Sequence, residues 1–230
     1  MYKTLIEEAA AAWQLDLPAD RLSGYLVALF EKNKVMNLTA ITEPSEMVLR
    51  HIMDSLALMK LGLVEAGKLI DIGTGGGTPG IPLALCLPNL FVTLNDPLNK
   101  RCDFLREVTA DIKNTSVLQG RAEDLAKAPV RESFDFATAR AVANLRTLSE
   151  YCLPYVKMGG LFVPMKSGDV EVELQEAKNA IGTMGGKIED IKYYEIPKEG
   201  VWRAVIVIRK VRNTDAKYPR NAGRIKKNPL

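Results

Sequence analysis

Residues 68–87, KLIDIGTGGGTPGIPLALCL, constrain the fold more than any other stretch. Leu69, Ile70 and Ile72 make an apolar run of strand length, with Asp71 near its end. Glycines follow at 73, 75, 76 and 77, then Thr78, Pro79 and Gly80, and a helix-like run opens at Ile81. A strand, a glycine-rich turn and a helix start form a cradle for a nucleotide-like ligand. Glycine permits positive φ and close backbone approach, at an entropic cost that a turn holding no ligand would carry for nothing. Pro79 or Pro82 suits the first helical turn, where a missing N–H costs little.

The loop supports two ligand readings. Gly75-x-Gly77-x-x-Gly80 fits the dinucleotide fingerprint, with Asp96 placed where a ribose-binding acid belongs. Asp71-x-Gly73-x-Gly75-x-Gly77 instead resembles the first motif of class I methyltransferases, which bind S-adenosylmethionine (SAM). A carboxylate at Asp71 can hold the methionine ammonium, a cation that a dinucleotide lacks.

Periodicity places the loop in an α/β fold. Helices are expected over 3–14 and 19–34, the second with Leu22, Tyr25, Leu26, Leu29 and Phe30 on one stripe. A third should run from Glu43 to about Leu61, with His51 and Ser55 inside an apolar face and Arg50 and Asp54 as an i, i+4 pair beside it. That helix either packs as core with a satisfied His51, or caps the cleft and turns polar groups into it. After the loop, strand candidates at 90–95, 115–119, 134–139 and 160–166 alternate with helices near 99–112, 144–153 and 169–184. This alternation implies a parallel sheet covered on both faces. The runs 187–196 and 201–210 are joined by a short link, which predicts a terminal antiparallel hairpin. A doubly wound sheet ending in a hairpin is the class I SAM-dependent methyltransferase (Rossmann-like) architecture. The expected division is an N-terminal helical extension over 1–64, a SAM-binding domain over 65–211 and a basic, linker-like tail over 212–230.

Charge and cysteine usage narrow the partners. Residues 209–230 hold eight Lys/Arg against one Asp, although the whole chain carries only +3. A basic tail on a mildly acidic body suggests an anionic polymer, with Arg220, Arg224, Lys226 and Lys227 as its cations. Three scattered cysteines and one histidine give neither a disulfide framework nor a metal site, and fit a reduced cytoplasmic protein. No apolar run reaches membrane-spanning length, and no signal peptide is evident.

In an open α/β sheet the ligand lies beyond the carboxyl ends of the strands. The second strand end supplies Asp96, able to accept both ribose hydroxyls or to serve as a turn residue. The third supplies Ala122 and Glu123, facing an adenine edge or capping a helix. The fourth supplies Arg140, placed to clamp a carboxylate or phosphate, or to form a surface ion pair. Amino-group methylation usually has an Asn/Asp-Pro-Pro-aromatic loop after the fourth strand, where this chain has ARAV. Cys102 and Cys152 lie in helix-like runs, against a cysteine nucleophile. A ring nitrogen such as guanine N7 needs only alignment and proximity, because its lone pair carries no proton.

With these residues in hand, NLTAITEPSEMVLRHIMDSL, LIDIGTGGGTPGIPLAL, DPLNKRCDFL, GRAEDL, ATARAVANL and KYPRNAGRIKKNPL resemble the ribosomal RNA small subunit methyltransferase G family, also called glucose-inhibited division protein B. The resemblance covers nearly the whole chain. It implies a cytoplasmic enzyme that transfers a methyl from SAM to N7 of one guanine in a decoding-region loop of 16S rRNA. It places cofactor contacts on Gly73, Thr78, Ala122, Glu123 and Arg140, with Thr78 acting through its backbone. RNA-facing residues are expected at Arg50, His51, Lys100, Arg101, Lys166 and Arg203. Partners are 16S rRNA or the small subunit, with no metal and no membrane, and a monomer is expected. An NAD-dependent oxidoreductase and an RNA-binding module that keeps SAM as a structural ligand stand as rival readings.

Overall fold

The computed structural model describes residues 1–197 and 199–230. Helices α1 (Tyr2–Trp13) and α2 (Ala19–Met36) pack through Ile6, Leu22, Leu26 and Leu29. A third rod begins with α3 (Pro44–Met47), capped by the Glu43 carboxylate on the Glu46 N–H, and ends with α4 (Asp54–Lys60). Between them, Val48–Met53 is π-helical. The rod buries Met47, Val48, Ile52 and Leu56, the stripe expected from the sequence.

Among the described residues the eight strands are β1 (Gly67–Ile72), β2 (Leu90–Asp96), β3 (Thr115–Gln119), β4 (Phe134–Thr138), β5 (Val156–Phe162), β6 (Met165–Ser167), β7 (Gly186–Glu195) and β8 (Trp202–Lys210). Strands β3, β2, β1, β4 and β5 run parallel in that order. The hairpin closes the sheet as expected: β8 pairs antiparallel with β5 and β6, and β7 pairs with β8. The expected strand 160–166 is divided at Val163–Pro164. Proline has no N–H for the ladder, and the chain resumes as β6 against the same partner, β8.

The remaining helices are α5 (Gly80–Cys86), α6 (Asn99–Val108), α7 (Ala122–Leu125), α8 (Leu145–Cys152), α9 (Glu171–Thr183) and α10 (Ala222–Lys227). Alternate residues of β1 face opposite sides, as the period of two requires. Leu69 joins Leu26, Leu29, Ile52 and Leu83 in one core. Ile70 and Ile72 join Leu148, Phe162 and Leu174 in the other. The N-terminal helices therefore share a core with the sheet. Strand order reverses between β1 and β4, so the ligand crevice falls beyond the carboxyl ends of these two strands.

Residues 212–230, expected to be linker-like, are folded onto the body. Arg131 donates to the carbonyls of Thr214 and Tyr218, and buried Lys210 donates to the Leu153 carbonyl and Thr214 Oγ1. Asn221 caps α10, which buries Ile225 completely. Arg146 holds the carbonyls of Pro229 and Leu230. Arg220 grips the Glu150 carboxylate at 2.7 Å and 2.9 Å, and that carboxylate is 1% exposed. The expectation that Arg220 faces RNA is thereby corrected: it is an internal clamp. Charge counting missed this because it does not reveal an acid buried seventy positions earlier. Arg220→Ala should strip Glu150 of its counter-ion and destabilise the fold by about 3–5 kcal/mol, read as a lowered midpoint in urea unfolding.

Candidate active site

The glycine loop is built around Asp71, which has no solvent exposure. Its Oδ2 accepts the Thr74 hydroxyl at 2.6 Å and the Gly80 N–H at 2.9 Å, tying both ends of the loop to the tip of β1. Burial pushes the Asp71 carboxyl up to about 6, with the Thr74 and Gly80 bonds pulling the other way. Only Oδ2 is spent on the loop; Oδ1 is buried with no hydrogen-bond partner. The loop has two further ties. The Tyr25 hydroxyl donates to the Gly76 carbonyl at 2.9 Å, and the Gly75 N–H donates to Asp96 Oδ2 at 3.2 Å. Gly73 has φ of 69°, and a Cβ there would lie 2.6 Å from Val142 Cγ2. Gly77 also has positive φ, and half-buried Thr78 lines the crevice.

Asp96 ends β2 almost fully buried, accepting the Leu98 N–H on Oδ1, with Arg101 3.4 Å from Oδ2. At the end of β3, Ala122 opens α7, and its carbonyl accepts the Tyr155 hydroxyl at 2.7 Å. Beside it Glu123 is buried, and its Oε1 bonds nothing.

Beyond the loop lies a cleft of about 660 Å³, with a floor drawn from three distant segments. Arg50 and His51 come from the π-helical turn, Asp54 from α4, Arg140 from the end of β4, and Tyr194 and Arg203 from the hairpin. Asp54 is the hub. Its Oδ2 accepts Arg140 Nη1 at 2.6 Å, its Oδ1 accepts the Tyr194 hydroxyl at 2.7 Å, and Arg203 Nε stands 4.0 Å away. Arg140 Nη1 also donates to the Arg50 carbonyl at 2.8 Å. Burial, then the Asp54 charge, pushes the Tyr194 hydroxyl far above its ordinary value, so it stays a donor. Lys166 donates to Glu173 Oε1 at 2.7 Å and to the Ala143 carbonyl.

Two expectations about the third helix are revised. Arg50 does not pair with Asp54; it bonds Glu199 at 2.9 Å and Glu46 at 3.4 Å. A π-helical turn closes i→i+5 rather than i→i+4, so the i, i+4 spacing does not align the two side chains. His51 was expected to face RNA. It is 8% exposed, with Nε2 2.9 Å from Thr39 Oγ1 and a buried, unpartnered Nδ1. Lys100 is exposed in the first turn of α6. Sequence reasoning did not single out Asp54 as a hub, and it missed Tyr194, whose only local signal was a place in a charged, half-exposed strand.

A family model described as rRNA small subunit methyltransferase G matches residues 19–200. The chain belongs to this family. Among its relatives, the ribosomal RNA small subunit methyltransferase G of Lachnoclostridium phytofermentans is 48% identical over 210 residues, covering 90% of this chain and 87% of that one. The protein of the same name from Acetivibrio thermocellus is 43% identical over 234 residues, covering 99% and 96%. Of solved structures, a putative methyltransferase from Bacillus halodurans superposes with TM-score 0.53 at 14% identity, covering 69% of this chain and 99% of that one. M. jannaschii TYW2 in complex with AdoMet gives TM-score 0.50 at 18% identity, covering 64% and 70%. These two speak to the fold, which is the Rossmann-like methyltransferase fold. Members of the rRNA small subunit methyltransferase G family are SAM-dependent methyltransferases, and so is this chain. Its residues suit the cofactor: Gly73, Gly75 and Gly76 line the crevice beside Thr74 and Thr78, and a buried Glu123 oxygen without a partner is ready for an amino group.

Burial, then the nearby Arg140 cation, lowers the His51 imidazole to about 4, so the ring is neutral near pH 7. Its contribution to stability is complete above the unfolded value of about 6.5 and is lost as pH falls towards 4. As the sole histidine, it can be followed alone by NMR. A midpoint near 4 is expected; one near 6.5 would mean a solvated ring.

Proposed function

We propose that this protein transfers a methyl group from SAM to N7 of a single guanine in 16S rRNA, as free RNA or in the small subunit. The observation that carries the reading is the floor of the cleft. Four cations line it or border it, Arg50, Arg140, Lys166 and Arg203, and carboxylates stand against each: Glu46 and Glu199, Asp54, and Glu173. Charge is thus balanced where a base would enter. Unbalanced cations lie outside, at Lys100 and at the exposed Arg224, Lys226 and Lys227. A neutral, donor-rich floor suits a planar base, and an exposed basic surface suits the phosphates beside it.

In this reading Gly73, Gly75, Gly77 and Thr78 offer backbone to the amino-acid part of the cofactor, Asp71 keeps that loop closed, Asp96 takes the ribose, and Ala122 and Glu123 take the adenine edge. SAM, when bound, supplies an electrophilic methyl on a sulfonium. Guanine N7 has an in-plane lone pair and no proton, so the chain need not supply a general base. Asp54 already accepts two donors, His51 is turned to Thr39, and Cys102 and Cys152 are fully buried. Arg140, fixed through Nη1, shapes the wall and orients the reactants. Misalignment of about 1 Å can cost on the order of a hundredfold in rate. Arg50, Lys100, Arg101, Lys166 and Arg203 meet the RNA. The protein acts as a cytoplasmic monomer.

The test is methylation of small-subunit rRNA with labelled SAM, followed by borohydride and aniline, which cleave at N7-methylguanine. Scission at one labelled guanine is expected. Label without scission would place the methyl on another atom, and calorimetric binding of NAD in place of SAM would mean an oxidoreductase. The exposed tail cations give a second expectation. Arg224→Ala, Lys226→Ala and Lys227→Ala together should flatten the log–log salt dependence of RNA binding by up to about 2 units, at roughly 0.7 per phosphate contact, with SAM affinity unchanged.

A further inference from the structure

Asp54 has two oxygens and three donors around it. Arg140 holds Oδ2 and the Tyr194 hydroxyl holds Oδ1. Arg203 reaches only to 4.0 Å, and its Nε is buried with no hydrogen-bond partner. The two arginines therefore differ in what they can offer. Arg140 commits Nη1 to Asp54 and the Arg50 carbonyl, and its side chain is 15% exposed. Arg203 is 28% exposed, lines the cleft, and has Asp54 as its one ionic contact among the described residues. A buried charged donor left unpaired is costly. The Arg203 Nη nitrogens also make no hydrogen bond among the described residues, and they lie on the side chain that lines the cleft, so they are the donors left for an acceptor that arrives with the substrate.

The surroundings select the kind of acceptor. Asp54 lies directly behind Arg203, and the floor's charges are balanced, so a phosphate gains little there. A neutral carbonyl gains a charge-assisted hydrogen bond and meets no repulsion. On the N7 edge, guanine presents the O6 acceptor next to N7, whereas adenine presents an amino donor. A donor that takes O6 alone leaves the N7 lone pair free.

We propose that Arg203 reads O6 of the target guanine, with Asp54 and Tyr194 as the positioning residues that keep it available. This rests on the guanine-N7 reading above. The experiment is single-turnover methylation of two rRNAs, one with guanine at the target and one with 2-aminopurine, which keeps N7 and lacks O6. The wild-type protein should be slower on 2-aminopurine by roughly 10- to 100-fold, the range of a hydrogen bond to a charged group. Arg203→Ala should lose most of that ratio, because the intrinsic difference between the bases cancels in the comparison. Tyr194→Phe should free Oδ1, let Arg203 close onto Asp54, and lower the ratio while SAM affinity and melting temperature hold. Arg203→Lys, which keeps the charge, guards against an alanine variant that fails to fold and should give an intermediate ratio. If the Arg203 variants slow both RNAs equally, the contact is a phosphate and the proposal falls. An unchanged ratio in Tyr194→Phe would remove the positioning role. If wild-type protein leaves the guanine RNA unmethylated at N7, the underlying reading fails first, and this proposal with it.

Discussion

Asp71 is a carboxylate with no water to solvate it, at the point where β1 becomes the glycine loop. Burying a charge is expensive unless donors meet it, and Asp71 is met by Thr74 and Gly80, three and nine positions further along the chain. The loop therefore closes on itself before any ligand arrives. Preorganisation of this kind avoids the entropy of ordering a flexible turn on binding. Everything else in the site is referenced to that closed loop. Asp96 reaches it through Gly75, the N-terminal helices through Tyr25 and Gly76, and the segment after β4 through the contact of Val142 with Gly73.

The cleft separates two tasks that a basic surface usually combines. Exposed cations attract a polyanion without regard to sequence, through counterion release. Base recognition calls for directed donors in a desolvated place, where each unpaired group is costly. Here the unbalanced charge lies on the outside, and the floor holds ion pairs whose geometry is fixed by bonds from several segments. In the proposed reading, such a floor discriminates by shape and hydrogen bonding, and its balanced charge gives non-specific phosphate little to gain there.

The order of strands and helices was readable because the period of two and the glycine loop are local signals. The residues 115–119 coincide with β3, and the hairpin followed from a short link between two strand-like runs. What stayed hidden was long-range. The π-helical turn gives no period of its own in six residues, so Arg50 and Asp54 read as a pair. Asp54 became a hub only through Arg140 and Tyr194, eighty-six and one hundred and forty positions away. The tail read as linker-like because its composition is basic and polar, yet its order comes from Glu132 and Glu150 on the body. Motif spacing located the loop, but it could not show that Asp71 faces inward.

The bond from Tyr25 to the Gly76 carbonyl has an architectural consequence. Residues that precede the sheet contribute to the same apolar core as β1 and β2, and they also carry the wall that bears Arg50 and Asp54. The helical segment is thus not a detachable recognition module bolted to a catalytic domain. Exchanging it for the corresponding segment of a distant relative would alter core packing, the hydrogen bonding of the cofactor loop and the substrate wall at once. A segment swap would therefore disturb the fold together with the cleft, whereas a single side-chain change on the floor would leave the shared core intact.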